Sequence, residues 1–200
     1  MRLRVLLVDE RPERQELVAE LLAGADCELL RQVGPGDDLL RAVQAHDPDL
    51  VIIDIDSPGR DTLENLRTVQ ATAPRPMVMF SQDDAGDTIR RAVEAGVSAY
   101  VVDGLQAKRV RPVIEAAMAR FRQYRALEQE LDRTRSELQA RKLIDRAKGI
   151  VMQQRGVGEP EAYQLLRKAA MDRNKRLVEI AEAIISADEL LHGPGVSRPR

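Results

Sequence analysis

Leu3-Arg-Val-Leu-Leu-Val-Asp-Glu10 is a short apolar run that stops at two carboxylates. Its apolar residues hardly alternate with polar ones, which is the pattern of a strand covered on both faces. Working outward, four more segments read as strands: Cys27–Val33, Leu50–Ile55, Pro76–Phe80 and Ser98–Val102. Amphipathic helical patterns lie between them, near 12–23, 37–46, 61–72 and 86–95. Asp61, with Glu64 three residues on, reads as a capping box. Gly24 and Gly96 stand where a helix C-terminus favours a left-handed residue. Five strands alternating with helices predict an α/β fold with a doubly wound, parallel, five-stranded sheet over residues 1–120.

The pattern then changes. Pro112 suits the first turn of a helix, and no proline and no glycine interrupt 113–148. Tyr124, Leu127, Leu131, Thr134 and Leu138 are spaced as a coiled-coil seam, so 113–140 is expected to be a coiled-coil linker helix. The seam falters at Arg141-Lys142 and resumes out of phase at Ile144, Ala147 and Val151, which marks a junction to another module. Two further helices are expected at about 159–171 and 176–191, separated by Gly156-Val157-Gly158 and Asp172-Arg173-Asn174. The result is a small three-helix all-α domain over 135–191, with Ile150, Val151, Leu165, Leu166, Leu177, Ile180 and Ile184 as its expected core. The Gly-, Pro- and Arg-containing tail, 192–200, is expected to be disordered.

Composition narrows the function. The 200 residues are 44% hydrophobic and 32% charged, and Phe80, Tyr100, Phe121, Tyr124 and Tyr163 are the only aromatics, so the core is aliphatic. One cysteine, Cys27, leaves no internal disulfide and fits a reducing, cytoplasmic setting. His46, His192 and Cys27 make no zinc spacing, and the first apolar run is too short for a signal peptide or membrane helix. The net charge of −2 conceals an asymmetry: residues 1–120 carry −6, residues 121–200 carry +4, and 141–176 alone carry +6. An acidic front and a basic back point to two tasks, the basic part being the candidate for a polyanion.

In a doubly wound sheet, ligands bind at the carboxyl ends of the strands. Asp9 and Glu10 follow the first strand there and Asp54 ends the third, so these carboxylates are expected to converge. Hard oxygen ligands of this kind favour Mg2+, and a neutralised aspartate can accept a phosphoryl group. Solvated turn acids are the alternative. Together with Pro58, Ser81 just after strand four and Tyr100 in strand five, this pattern resembles the receiver domain of bacterial response regulators, a flavodoxin-like fold. The resemblance implies that Asp54 is the phosphoacceptor, that Asp9, Glu10 and Asp54 hold Mg2+, and that Ser81 and Tyr100 carry the switch. One position departs. Asp103, in Val102-Asp103-Gly104, stands where the family places a lysine that pairs with the phosphoacceptor. A carboxylate there would not stabilise a phosphoryl group of roughly −1.5 to −2 charge. Docking of a partner protein competes with phosphorylation as the role of this domain.

Lys142-Leu-Ile-Asp-Arg-Ala-Lys-Gly-Ile-Val-Met152, Glu161-Ala-Tyr-Gln-Leu-Leu-Arg-Lys-Ala-Ala170 and Asp172-Arg-Asn-Lys-Arg-Leu-Val-Glu-Ile-Ala181 together resemble the ANTAR domain. ANTAR modules are three-helix RNA-binding domains of transcription antiterminators. The resemblance implies binding to paired hairpins in a leader transcript, and two hairpins imply a homodimer. Lys148, Arg155, Lys168, Arg173 and Arg176 are the candidate phosphate or loop contacts, and Asn174 a candidate contact to a base edge. Tyr163 is either a stacking platform or a core residue. Gly149 inside a helix costs about 1 kcal/mol relative to alanine, which implies close packing or close approach of RNA. Asp56-Ser-Pro-Gly-Arg-Asp-Thr-Leu-Glu64, Tyr100-Val-Val-Asp-Gly104 and Met171-Asp172-Arg173-Asn174 are similar to the NasT group of nitrate-assimilation regulators. That similarity implies control of nitrate and nitrite assimilation genes, with a sensor kinase or a nitrate-binding sensor protein as partner.

Two alternatives stand beside this reading. A DNA-binding two-component response regulator would place a basic helix pair in a major groove. A dimeric adaptor would act by protein sequestration alone. An enzyme is disfavoured, since the sequence offers no nucleophile–base pair, no phosphate loop and no histidine beside the acidic cluster.

Overall fold

The computed structural model describes residues 2–193. The chain forms β1 (Leu3–Asp9), a 3-10 turn (Pro12–Arg14), α1 (Gln15–Ala23), β2 (Cys27–Val33), α2 (Leu39–His46), β3 (Leu50–Asp54) and α3 (Arg60–Thr72). It continues through β4 (Met77–Ser81), α4 (Gly86–Glu94), β5 (Ala99–Val102), α5 (Ala107–Arg155), α6 (Glu159–Asp172) and α7 (Leu177–His192). All strand pairs are parallel and the sheet order is β2-β1-β3-β4-β5, so the expected doubly wound sheet is present. Strand order reverses at β1/β3, where a ligand crevice belongs.

The two-residue strand period sends alternate side chains to opposite faces. Leu6, Val8, Val51, Ile53, Met77 and Met79 pack with Leu39, Val43, Leu63, Leu66 and Val69 of α2 and α3. Val5, Leu7, Leu50, Ile52, Val78 and Phe80 pack on the other face with Val18 and Leu22 of α1 and Val110, Ile114 and Ala117 of α5. This covering of both faces is why the strand sequences are continuously apolar.

Several local expectations need correction. α5 starts at Ala107, so Pro112 lies inside the helix, because buried Val110 draws the preceding turn onto the sheet. The stalk and the first helix of the small domain form one unbroken helix of 49 residues, and the phase slip at Arg141-Lys142 does not interrupt it. α3 is capped by Gly59, not by an Asp61 capping box, because the helix begins at Arg60 and places Asp61 in its first turn. Gly24 is right-handed (φ −66°), whereas Gly96 has the expected left-handed φ of +96°. His192 closes α7, and 194–200 of the expected disordered tail lie outside the described residues. No helix among the described residues is long and apolar enough to cross a membrane.

Two compact units divide the chain, Met1–Ala126 and Leu127–Arg200. In the second, Ala147, Leu166, Ala170, Ile180, Ala181 and Ile185 form a small core, with Ile150, Val151, Leu177 and Ile184 against it. Leu165, expected in that core, is instead 38% exposed, because one residue along a helix from buried Leu166 turns it to the outside.

Candidate functional site

β1 and β3 end on Asp9 and Asp54, which are register partners across the sheet, and each residue is only 2% exposed. Adjacent strands lie about 4.8 Å apart, so two carboxylates stand side by side with little water and require a cation. The chain supplies two. Arg14 Nη1 donates to Asp54 Oδ2 at 2.8 Å and stands 3.8 Å from Asp9 Oδ2. Arg11 Nη2 lies 3.7 Å from Asp54 Oδ2 and 3.7 Å from Asp56 Oδ1, and its backbone N–H donates to Asp9 Oδ1 at 2.8 Å. Burial pushes the Asp54 carboxyl above the usual aspartate range; Arg14 pulls it down and Asp9 pushes it further up. Glu10 stands apart from the pair: its Oε1 accepts the Asp56 N–H at 3.3 Å.

The neighbouring loops are stitched together. Ser81, 1% exposed, donates its hydroxyl to the Asp56 carbonyl at 2.8 Å and accepts the Asp83 N–H at 3.1 Å. Tyr100 donates to the Asp83 carbonyl at 2.7 Å, and burial raises its phenol. The Asp83 carboxylate accepts from Ala85 N–H (2.9 Å), Ser57 Oγ (3.0 Å) and Thr88 Oγ1 (3.1 Å), which hold it below the usual range. Asp103 adopts a left-handed φ of +73°, and its Oδ2 is 3.4 Å from Arg109 Nη2.

Two carboxylates suffice for Mg2+, which commonly keeps several waters and takes one or two protein carboxylates. The donors present fit that chemistry: Asp9 Oδ2 is buried without a hydrogen-bond partner, an acceptor left open. Asp9 and Asp54 are the residues that would hold the ion, which would neutralise their charge. No group of three His, Cys, Asp or Glu side chains able to hold a metal occurs among the described residues, and the expected third ligand, Glu10, is turned to the Asp56 backbone.

In the helical unit the candidate contacts sort by their surroundings. Lys148 is tied down: its Nζ lies 2.8 Å from Asp145 Oδ1 and 2.6 Å from Glu159 Oε1, and both partners, Asp145 first, raise its pKa. Arg176 is exposed at the start of α7, where its backbone N–H donates to Glu179 Oε2 at 2.7 Å. Arg155 ends α5 exposed, and Arg173 and Asn174 are exposed in the α6–α7 turn, Asn174 with φ +50°. On α6, Tyr163, Arg167 and Met171 recur every four residues along one outward face, Lys168 is exposed next to Arg167, and Tyr163 is 42% exposed, so it is no core residue. A β-carbon added to Gly149 would meet nothing within 4 Å, so internal packing does not require glycine there.

Comparison with known proteins accounts for both units. The family pattern of the response regulator receiver domain matches residues 5–115, and that of the ANTAR domain matches 132–185. The transcriptional regulatory protein PdtaR of Mycobacterium tuberculosis is 32% identical over 182 residues, 91% of this chain and 89% of that protein. The chain belongs to the ANTAR-domain response regulators. A nitrate regulatory protein of Klebsiella oxytoca is 44% identical over 61 residues, 30% of this chain and 15% of that protein. Among solved structures, a CheY-like receiver domain protein from Methanospirillum hungatei superposes with a TM-score of 0.53 at 14% identity. It covers 62% of this chain and 99% of that one, which establishes the receiver fold.

For this ANTAR-domain response regulator, sequence reasoning missed Arg11 and Arg14. The signal was available in Asp9-Glu10-Arg11-Pro12-Glu13-Arg14, where two cations follow the acidic pair within one turn. The proline-bearing 3-10 turn brings Arg14 back over the strand ends.

Proposed function

We propose that this chain is an RNA-binding transcription antiterminator that holds paired leader hairpins through its ANTAR unit. The observation that carries the reading is the outward α6 face, where Tyr163 stands exposed one turn from Arg167, with Lys168 exposed next to Arg167. An aromatic plane beside guanidinium and ammonium groups suits unpaired loop bases and their phosphates. Arg155, Arg173 and Asn174 extend this contact surface, and Arg176 adds a cation at the start of α7. Lys148 serves it indirectly by fastening α6 to α5.

The stripe Tyr124, Leu127, Leu131 and Leu138 is 58%, 60%, 49% and 55% exposed along α5, and a second copy of the chain covers it in the active form. Two copies present two ANTAR units to two hairpins. The receiver is the input domain, read by a sensor kinase that uses Asp54 as phosphoacceptor with Mg2+, or by a nitrate-binding sensor protein that docks on it. The likeness to a nitrate regulatory protein supports nitrate and nitrite assimilation genes as targets.

Binding of the purified chain to two-hairpin leader RNA at defined salt, beside single-hairpin RNA and duplex DNA, tests this. Tight binding that requires both hairpins is expected. Equal affinity for every polyanion would leave only generic electrostatics and overturn the reading.

A further inference from the structure

The receiver pocket carries its own cations. Asp9 and Asp54 are nearest neighbours on adjacent strands, both almost fully buried, and Arg14 reaches both with one nitrogen, at 2.8 Å to Asp54 and 3.8 Å to Asp9. Arg11 adds a second guanidinium 3.7 Å from Asp54. The arrangement is built: Pro12 opens the 3-10 turn that carries Arg14, and Arg11 is anchored by its backbone N–H on Asp9 at 2.8 Å. The Arg14 side chain is 25% exposed, so its guanidinium has a route to water without disturbing the core.

We propose that Arg14 is the resident counter-cation of Asp54, so that a divalent ion enters this pocket only by displacing a guanidinium. Mg2+ requires oxygen donors at about 2.0–2.1 Å with near-octahedral order. Arg14 and Arg11 both set positive charge against Asp54 Oδ2, at 2.8 and 3.7 Å, so an ion coordinating that oxygen would stand against two guanidiniums unless they withdraw. Asp9 Oδ2, buried with no hydrogen-bond partner, shows where the guanidinium pair leaves the pocket unsaturated and where an incoming ion first gains a ligand. Arg14 therefore sets the metal threshold of the receiver. At low divalent concentration the pocket is neutralised from within, and the strand ends hold their arrangement without metal. This rests on the pocket being a cation site, and it assigns the residue that competes for it.

The test is Mn2+ binding to the full chain, followed by the electron paramagnetic resonance signal of free Mn2+ with Mg2+ as competitor. Wild type, Arg14→Gln, Arg14→Lys and Asp54→Asn are compared, and melting in EDTA shows that each is folded. Arg14→Gln is expected to bind Mn2+ at least about tenfold tighter than wild type, with Arg14→Lys between them and Asp54→Asn binding neither ion. Equal affinities for wild type and Arg14→Gln, with binding still dependent on Asp54, would overturn the displacement while leaving the cation site intact. No Asp54-dependent binding in any variant would overturn both. If Arg14→Gln does not fold, the Arg14→Lys comparison decides: affinity equal to wild type overturns the proposal.

Discussion

Lys148 Nζ lies 2.6 Å from Glu159 Oε1 and 2.8 Å from Asp145 Oδ1, so one ammonium joins the α5 helix to the first turn of α6. The pair forms a clasp within the ANTAR unit. A carboxylate in the first turn also complements the positive end of α6, and the link holds α6 and its outward face in register with α5.

Lys148→Met and Glu159→Gln should therefore each lower the melting temperature of the ANTAR unit, and the double variant should fall short of their sum. Such coupling is the signature of groups in direct contact. Thermal melts of the four proteins in a double-mutant cycle check it. Strict additivity would show that the clasp contributes nothing.

Asp54 titrates above the usual aspartate range because burial outweighs the attraction of Arg14. A carboxyl whose pKa is raised on folding adds stability only where it is protonated, and that contribution is lost as pH rises through its folded-state value. At neutral pH the ionised group is a net burden. Asp54→Asn should then melt higher than wild type at pH 7, and the gap should close on acidification into the carboxylate range, near pH 4. A pH series of melting curves measures this; a gap that widens toward acid would refute it.

Gly149 sits exposed inside α5, six residues before its last residue Arg155, with open space where a β-carbon would go. Gly149→Ala should stabilise the helix by about 1 kcal/mol. If RNA approaches the helix at this point, the same change should weaken hairpin binding although the protein becomes more stable. Urea unfolding and RNA titration on one preparation separate the two effects.

Lys168 and Arg173 lie exposed on α6 and in the turn after it. As phosphate contacts, each replaced by alanine should reduce the slope of log affinity against log salt by about 0.7–0.9. Titrations at three or more salt concentrations read the slope directly. Unchanged slopes in both variants would place the RNA elsewhere.

The sheet was legible because strand burial is a local property: runs such as Leu50–Asp54 record two covered faces in consecutive residues. The small domain was legible for the same reason, since Leu166 and Ala170, and Leu177, Ile180, Ala181 and Ile184, fall at helical spacing within their segments. Asp9 and Asp54 could be placed at one edge from strand ends alone. The sequence by itself thus determined the architecture, the acidic edge and the basic back half.

Tertiary structure decided the partners. Arg14 meets Asp54 across 40 positions, and Arg146 meets Glu189 across 43. No periodicity encodes which cation reaches which carboxylate, because side-chain reach and the path of the intervening backbone set it. Tyr163 could read as core or surface until the rotation of α6 about its axis turned Ala162 and Leu166 inward and Tyr163 to solvent. Lys148 likewise reads as a free cation in the chain and becomes a clasp only when α6 folds back beside α5 and brings Glu159 Oε1 within 2.6 Å of its ammonium.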